Sequence, residues 1–199
     1  MHTILKLALA CAGAASLSAC ISTRSYVGPV SPMAGGATAP RSLSQPIPVR
    51  VSAQFQVNGK AAPNGTPALQ AQVEAALRAS GVFAPSSDPG TAATITVVVN
   101  DTVDLQAAHK KGVHAGLTLG SSGALIPDDY AYSATFANGA GEPYQATYQQ
   151  GILTAIGNNV QVPAGAAPTT PADAFHHVIL DMTTQFVQDL QTRGMVAER

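Results

Sequence analysis

Residues 47–58, Ile-Pro-Val-Arg-Val-Ser-Ala-Gln-Phe-Gln-Val-Asn, alternate without interruption. Ile47, Val49, Val51, Ala53, Phe55 and Val57 fall on one side of an extended chain; Arg50, Ser52, Gln54, Gln56 and Asn58 fall on the other. A period of two sustained over this length is the pattern of a strand with one buried face and one wet face. The fold therefore contains a sheet covered on a single side, and other elements must supply the cover.

Working outward, Asn58-Gly59 and Asn64-Gly65 mark turns. Thr66-Pro67 opens a helix, with the hydroxyl at the cap and proline at the first helical position. Leu69, Val73, Ala76 and Leu77 form its apolar stripe, Gly81 ends it, and Val82-Phe83 return to the core. Thr94 to Leu105 reads as a second strand, with Ile95, Val97, Val99, Val103 and Leu105 sharing a face. Asp101 falls on that apolar face, so a bulge or an exit from the core is expected there.

Tyr130 to Phe136 and Tyr144 to Tyr148 flank Asn138-Gly139-Ala140-Gly141, the pattern of an antiparallel hairpin with tyrosines paired across it. Ile152, Leu153 and Ile156 extend the second arm, and 157–169 reads as a loop. Thr170-Pro171-Ala172-Asp173 begins the last helix. Its stripe is Phe175, Ile179, Met182, Phe186 and Leu190, and Gly194 ends it. The expected fold is α+β, a two-layer sandwich: a mainly antiparallel sheet of about 4–5 strands with two helices packed on one face.

Residues 112–127 are unusual, with Gly112, Gly116 and Gly120 spaced four apart between Lys110-Lys111 and Asp128-Asp129. Taken as a helix, that spacing resembles the small-residue pattern by which membrane helices approach one another. Taken as strands, Gly116 to Leu119 and Ala124 to Ile126 pair across Gly120-Ser121-Ser122-Gly123. In either form Gly112, Gly116, Leu117, Leu119, Gly120, Leu125 and Ile126 are the expected partner-contact segment, because glycine removes side-chain obstruction.

The N-terminus carries Lys6, then an uncharged run from Leu7 that closes on Leu17-Ser18-Ala19-Cys20. This run is shorter than the ~20 residues a bilayer span needs and has the three parts of an export signal. Leu17-Ser18-Ala19-Cys20 resembles the lipobox of bacterial lipoproteins. The resemblance implies cleavage before Cys20, acyl chains on that cysteine and a membrane anchor. With Ile21 rather than Asp after it, it further implies the outer membrane, with the domain facing the periplasm. Cys20 would be the only cysteine of the mature chain, since Cys11 leaves with residues 1–19. Residues 20–46, rich in Pro, Gly, Ser and Thr without a period, read as a flexible tether holding the domain roughly 25–30 Å from the surface. Residues 47–194 form one α+β domain and 195–199 a tail.

Charge is scarce: Asp, Glu, Lys and Arg make up 11% of the chain, against roughly 25% in ordinary domains. With 10 basic and 11 acidic residues, no basic face is expected to neutralise phosphates, and nucleic acid is not an expected partner. No G-x-S-x-G, phosphate loop or H-E-x-x-H occurs. Asp101 with Asp104, or Asp128 with Asp129, have turn or surface duty as their expected role. Adjacent His176 and His177 point about 100° apart on a helix, so they suit a solvated face, near Asp173 and Asp181, better than a metal. His109 and His114 lack ligand companions. No cofactor or metal is expected. The expected role is a non-catalytic accessory of the envelope acting through protein or lipid contacts. A carrier of an apolar ligand ranks second and an envelope hydrolase third.

Overall fold

A computed structural model of the chain describes residues 22–31, 39–104, 106, 123–157, 160–162 and 167–196. Among the described residues, seven strands and two helices follow in the order β1 (Thr23–Val27), β2 (Ile47–Val57), β3 (Lys60–Ala61), α1 (Thr66–Ala79), β4 (Phe83–Pro85), β5 (Thr94–Thr102), β6 (Ala124–Ala137), β7 (Tyr144–Ile156), α2 (Pro171–Thr192). The sheet runs β1-β7-β6-β5-β2-β3, with β4 also on β2, and does not close into a barrel. Pairing is antiparallel except where β2 meets β4 and β5. The α+β class, the mainly antiparallel sheet and the two helices on one face agree with the sequence. The strand count is higher because β1, β3 and β4 are too short to show a period.

Val49 from β2, Ile95, Val97 and Val99 from β5, and Tyr132, Ala134 and Phe136 from β6 present one face to the helices. Leu69, Val73 and Leu77 of α1 meet them, as do Val178, Ile179, Met182, Phe186 and Leu190 of α2. Each of these side chains is essentially inaccessible, and burial of each of the larger aliphatic and phenyl groups contributes roughly 1.5–3 kcal/mol. Two hydroxyl seams cross this core. Tyr132 and Thr183 share a hydrogen bond at 3.1 Å, and the Tyr148 phenol donates to Asp189.

The hairpin is longer than its tyrosines suggest. β6 and β7 pair from Phe136 opposite Tyr144 to Ala124 opposite Ile156, with Tyr132 opposite Tyr148. β5 stops at Thr102, opposite Asp129. Among the described residues, β6, β7 and β1 thus run on together past β5 and β2 as a three-stranded tip. The α1 start also differs: its N-cap is Gly65, without a side-chain cap, and the Thr66 hydroxyl accepts from the Phe55 N–H at 3.1 Å instead. Thr170 caps α2 as the sequence indicates, accepting from the Asp173 N–H at 3.1 Å.

Much of the expected tether is folded. Thr23–Val27 is the edge strand β1, paired with β7 from Thr23 opposite Ile156 to Val27 opposite Ile152, and Ser31 bridges Gln149 further along. The backbone of Arg41 is clasped by the Gln191 amide, which accepts at 2.9 Å and donates at 2.6 Å. Leu43 N–H donates to the Gly81 carbonyl at 3.0 Å. Gly81 has φ +66°, and a Cβ there would meet Ser42 Oγ at 2.3 Å, so only glycine lets this strap lie across the end of α1.

Candidate functional site

Cys20, Gly112, Gly116, Leu117, Leu119 and Gly120 lie outside the described residues, as do His109 and His114. Leu125 and Ile126 are in β6, opposite Ala155 and Thr154 of β7. The partner strand of 124–126 on that side is therefore β7, and these residues continue the tyrosine hairpin into the tip. Both side chains are half-buried.

At the base of the tip, three carboxylates come together. Asp101 lies opposite Tyr130, and its neighbour Thr102 lies opposite Asp129, so the pairing of β5 with β6 brings residues distant in sequence side by side. Desolvation pushes the Asp101 carboxyl up to about 6, with the charges of Asp128 and Asp129 adding to the rise. Burial, then Asp129, raises Asp128 as well. The Tyr130 phenol is pushed well above its ordinary range by burial and then by Asp101 and Asp128. Among the described residues, the buried Asp101 Oδ1 has no hydrogen-bond partner. The cluster can take up or release a proton close to neutral pH. The break in alternation at Asp101 is the sequence signal that pointed here; nothing local to it pointed to Asp128 and Asp129.

Strand alternation puts Thr102, Asp129, Gln149 and Gly151 on the face of the sheet away from the helices, where they line an open groove of about 440 Å³ with Pro29 and Ser31. A Cβ on Gly151 would come within 3.2 Å of Asp129 Oδ1, so glycine keeps the groove floor clear. Its walls mix the Asp129 carboxylate, hydroxyls and amides with the apolar surface of Pro29 and Ala131.

His176 and His177 have ring centroids 6.3 Å apart. Among the described residues no group of three or more His, Cys, Asp or Glu side chains could hold a metal ion. The two carboxylates expected near these histidines are engaged elsewhere. Asp173 accepts from the Thr170 hydroxyl at 2.7 Å, and Asp181 accepts from Gln150 Nε2 at 3.0 Å. Gln150 also donates to the Gly28 carbonyl at 2.8 Å, tying α2, β7 and the end of β1 together.

No family model matches the chain, and no curated protein does. Among solved structures it is similar to the PelC dodecamer protein from Paraburkholderia phytofirmans, at 11% identity over 85% of this chain and 98% of that one, with a TM-score of 0.38. It is also similar to a minor lipoprotein from Acinetobacter baumannii, at 12% identity over 74% and 92% of the two chains, with a TM-score of 0.32. Likenesses this distant concern layout, and no functional conclusion is drawn from them.

Proposed function

We propose that this chain is a lipid-anchored accessory protein of the bacterial envelope, without catalytic activity, acting through contacts with protein or lipid. The observation that carries this is the leader closing on Leu17-Ser18-Ala19-Cys20, because a thioether-linked acyl anchor accounts for a lone cysteine in an exported chain. Two further observations support it. Among the described residues no helix is long and apolar enough to cross a membrane. The partner-contact role is assigned to residues 112–126, of which Leu125 and Ile126 are described at the start of β6, paired with the end of β7.

The test is intact mass of protein extracted from bacterial membranes, paired with partition between detergent and aqueous phases. A chain beginning at Cys20 and carrying acyl mass is expected in the detergent phase, and Cys20→Ala in the aqueous phase. An unmodified thiol on a detergent-extracted chain would defeat the proposal. For the contact role, Gly116→Val with Gly120→Val is expected to impair cellular function while leaving the thermal midpoint unchanged.

A further inference from the structure

The position of β1 fixes how an anchored molecule must stand. β1 starts at Thr23, three residues from Cys20, and three residues of fully extended chain reach at most ~11 Å. The acyl chains occupy the hydrocarbon core, and the headgroup layer above that core is itself only ~5–8 Å deep on each side. The long stand-off expected of a 20–46 tether cannot form while β1 stays in the sheet.

Thr23 is level with Ile156 on β7 and Ile156 with Ala124 on β6. Three strand ends therefore share one short rim. Near it are the half-buried aliphatics Leu125, Ile126, Leu153 and Ile156, with the exposed cation Arg24. Aliphatics flanked by a cation suit the boundary between acyl chains and lipid phosphates. Among the described strands the tip extends past β5 and β2 on the side where the chain arrives from Cys20, and the hairpin turn at 138–141 points away from it.

We infer that the tip formed by β1, β7 and the start of β6 is a lipid-contacting surface, seated in the headgroup layer with the sheet standing on end above it. This rests on the reading that Cys20 is acylated, and adds to it a defined orientation and a second, non-covalent contact made by residues far from Cys20 in sequence.

The test uses the full-length protein purified from bacterial membranes, with single cysteines introduced at Leu125, Pro127 or Asn138 and labelled with a small fluorophore. The labelled proteins are reconstituted into phosphatidylethanolamine–phosphatidylglycerol vesicles doped with a headgroup-nitroxide lipid. Leu125 and Asn138 are separated by the length of β6, ~43 Å, so labels at Leu125 and Pro127 are expected to lose most of their emission while Asn138 keeps it. Pro127 is exposed and serves should a label at half-buried Leu125 disturb the fold. Equal quenching at all three positions, or stronger quenching at Asn138, overturns the orientation while leaving the anchor standing. Protein that does not float with the vesicles overturns the anchor and this inference together. A flexible twelve-residue Gly/Ser insertion between Ser22 and Thr23 adds a coil of roughly 20 Å. Loss of quenching at Leu125 in that variant overturns the non-covalent contact and leaves only the stance imposed by the short mooring, whereas retained quenching supports affinity of the tip itself for lipid.

Discussion

Asp101 shows what one misplaced parity costs. Val97 and Val99, which precede it on the same face of β5, are fully buried, and burial with the charges of Asp128 and Asp129 pushes its carboxyl up to about 6. A folded-state value above the ordinary 3.8 means that the native state binds the proton more tightly than the unfolded chain does. Stability is then lost as pH rises from about 4 to about 6, and the penalty is complete above that. A fully dry carboxyl with this rise would cost near ~3 kcal/mol, but Asp101 is half exposed and solvent screening reduces the figure to ~1 kcal/mol. Asp101→Asn is therefore expected to raise the thermal midpoint by about 2–4 °C at pH 8 and to leave it unchanged at pH 3.5. Thermal melts across that range check it, and a difference independent of pH would show that burial does not penalise this charge. Tyr148 is the opposite case, a buried phenol with a satisfied partner. It donates to Asp189, which also accepts from Gln185 Nε2 at 3.3 Å. Tyr148→Phe deprives a partly buried carboxylate of its strongest donor and should cost about 1–3 kcal/mol in denaturant unfolding.

Between elements, the least expected device protects the outer edge of β2. β4 covers that edge at Ile47–Val49 and β3 covers it at Gln56 and Val57. In the gap, Gln70 of α1 behaves as a missing strand residue: its Oε1 accepts from the Ala53 N–H at 2.8 Å and its Nε2 donates to the Val51 carbonyl at 3.0 Å. Thr66 completes the seal at Phe55. Open strand edges template association, so Gln70→Ala is expected to lower stability by about 1–2 kcal/mol and to speed amide exchange at Ala53. Exchange mass spectrometry would detect this, and an unchanged Ala53 would show that the edge is protected without the amide. The alternation of 47–58 and the stripes of both helices were legible in the sequence because each depends on neighbours two, three or four positions away. Gln70 was not, since a glutamine on a helix face looks solvated until the strand it reaches is known. β1 was hidden for another reason. Ser25 and Tyr26 are adjacent and both buried, and Ser25 pairs its hydroxyl with that of Thr154 at 3.1 Å, so Thr23–Val27 shows no apolar parity at all. In the candidate site the single out-of-parity Asp101 was readable, whereas its convergence with Asp128 and Asp129 depends on the register of β5 against β6.

At the scale of the whole molecule, the stretch before residue 47 closes the fold at both ends of the sheet. β1 joins the far edge, beside β7, and the strap at 39–46 crosses to the ends of both helices before β2 enters at the other edge. Ser25 exchanges backbone hydrogen bonds at 2.9 Å with Thr169, which places the start of α2 against the same strand. Tyr26, 6% exposed, contributes roughly 2 kcal/mol by burial. A free tether would make these residues dispensable, and a chain begun at Ile47 would then unfold at the same temperature as one begun at Ser22. The contacts require otherwise. Removal of 22–46 uncovers the edge of β7, leaves Gln191 and the Gly81 carbonyl without their strap partners, and is expected to lower the thermal midpoint by about 6–12 °C, from a loss of ~3 kcal/mol at about 2–4 °C per kcal/mol. It should also drive concentration-dependent association through the bared strand. Calorimetry with light scattering on the two chain lengths measures both effects. Equal midpoints with a monomeric short form would mean that β1 and the strap add nothing to the domain. The mooring at Cys20 would then hang on a loose chain after all, and the upright stance inferred above would go with it.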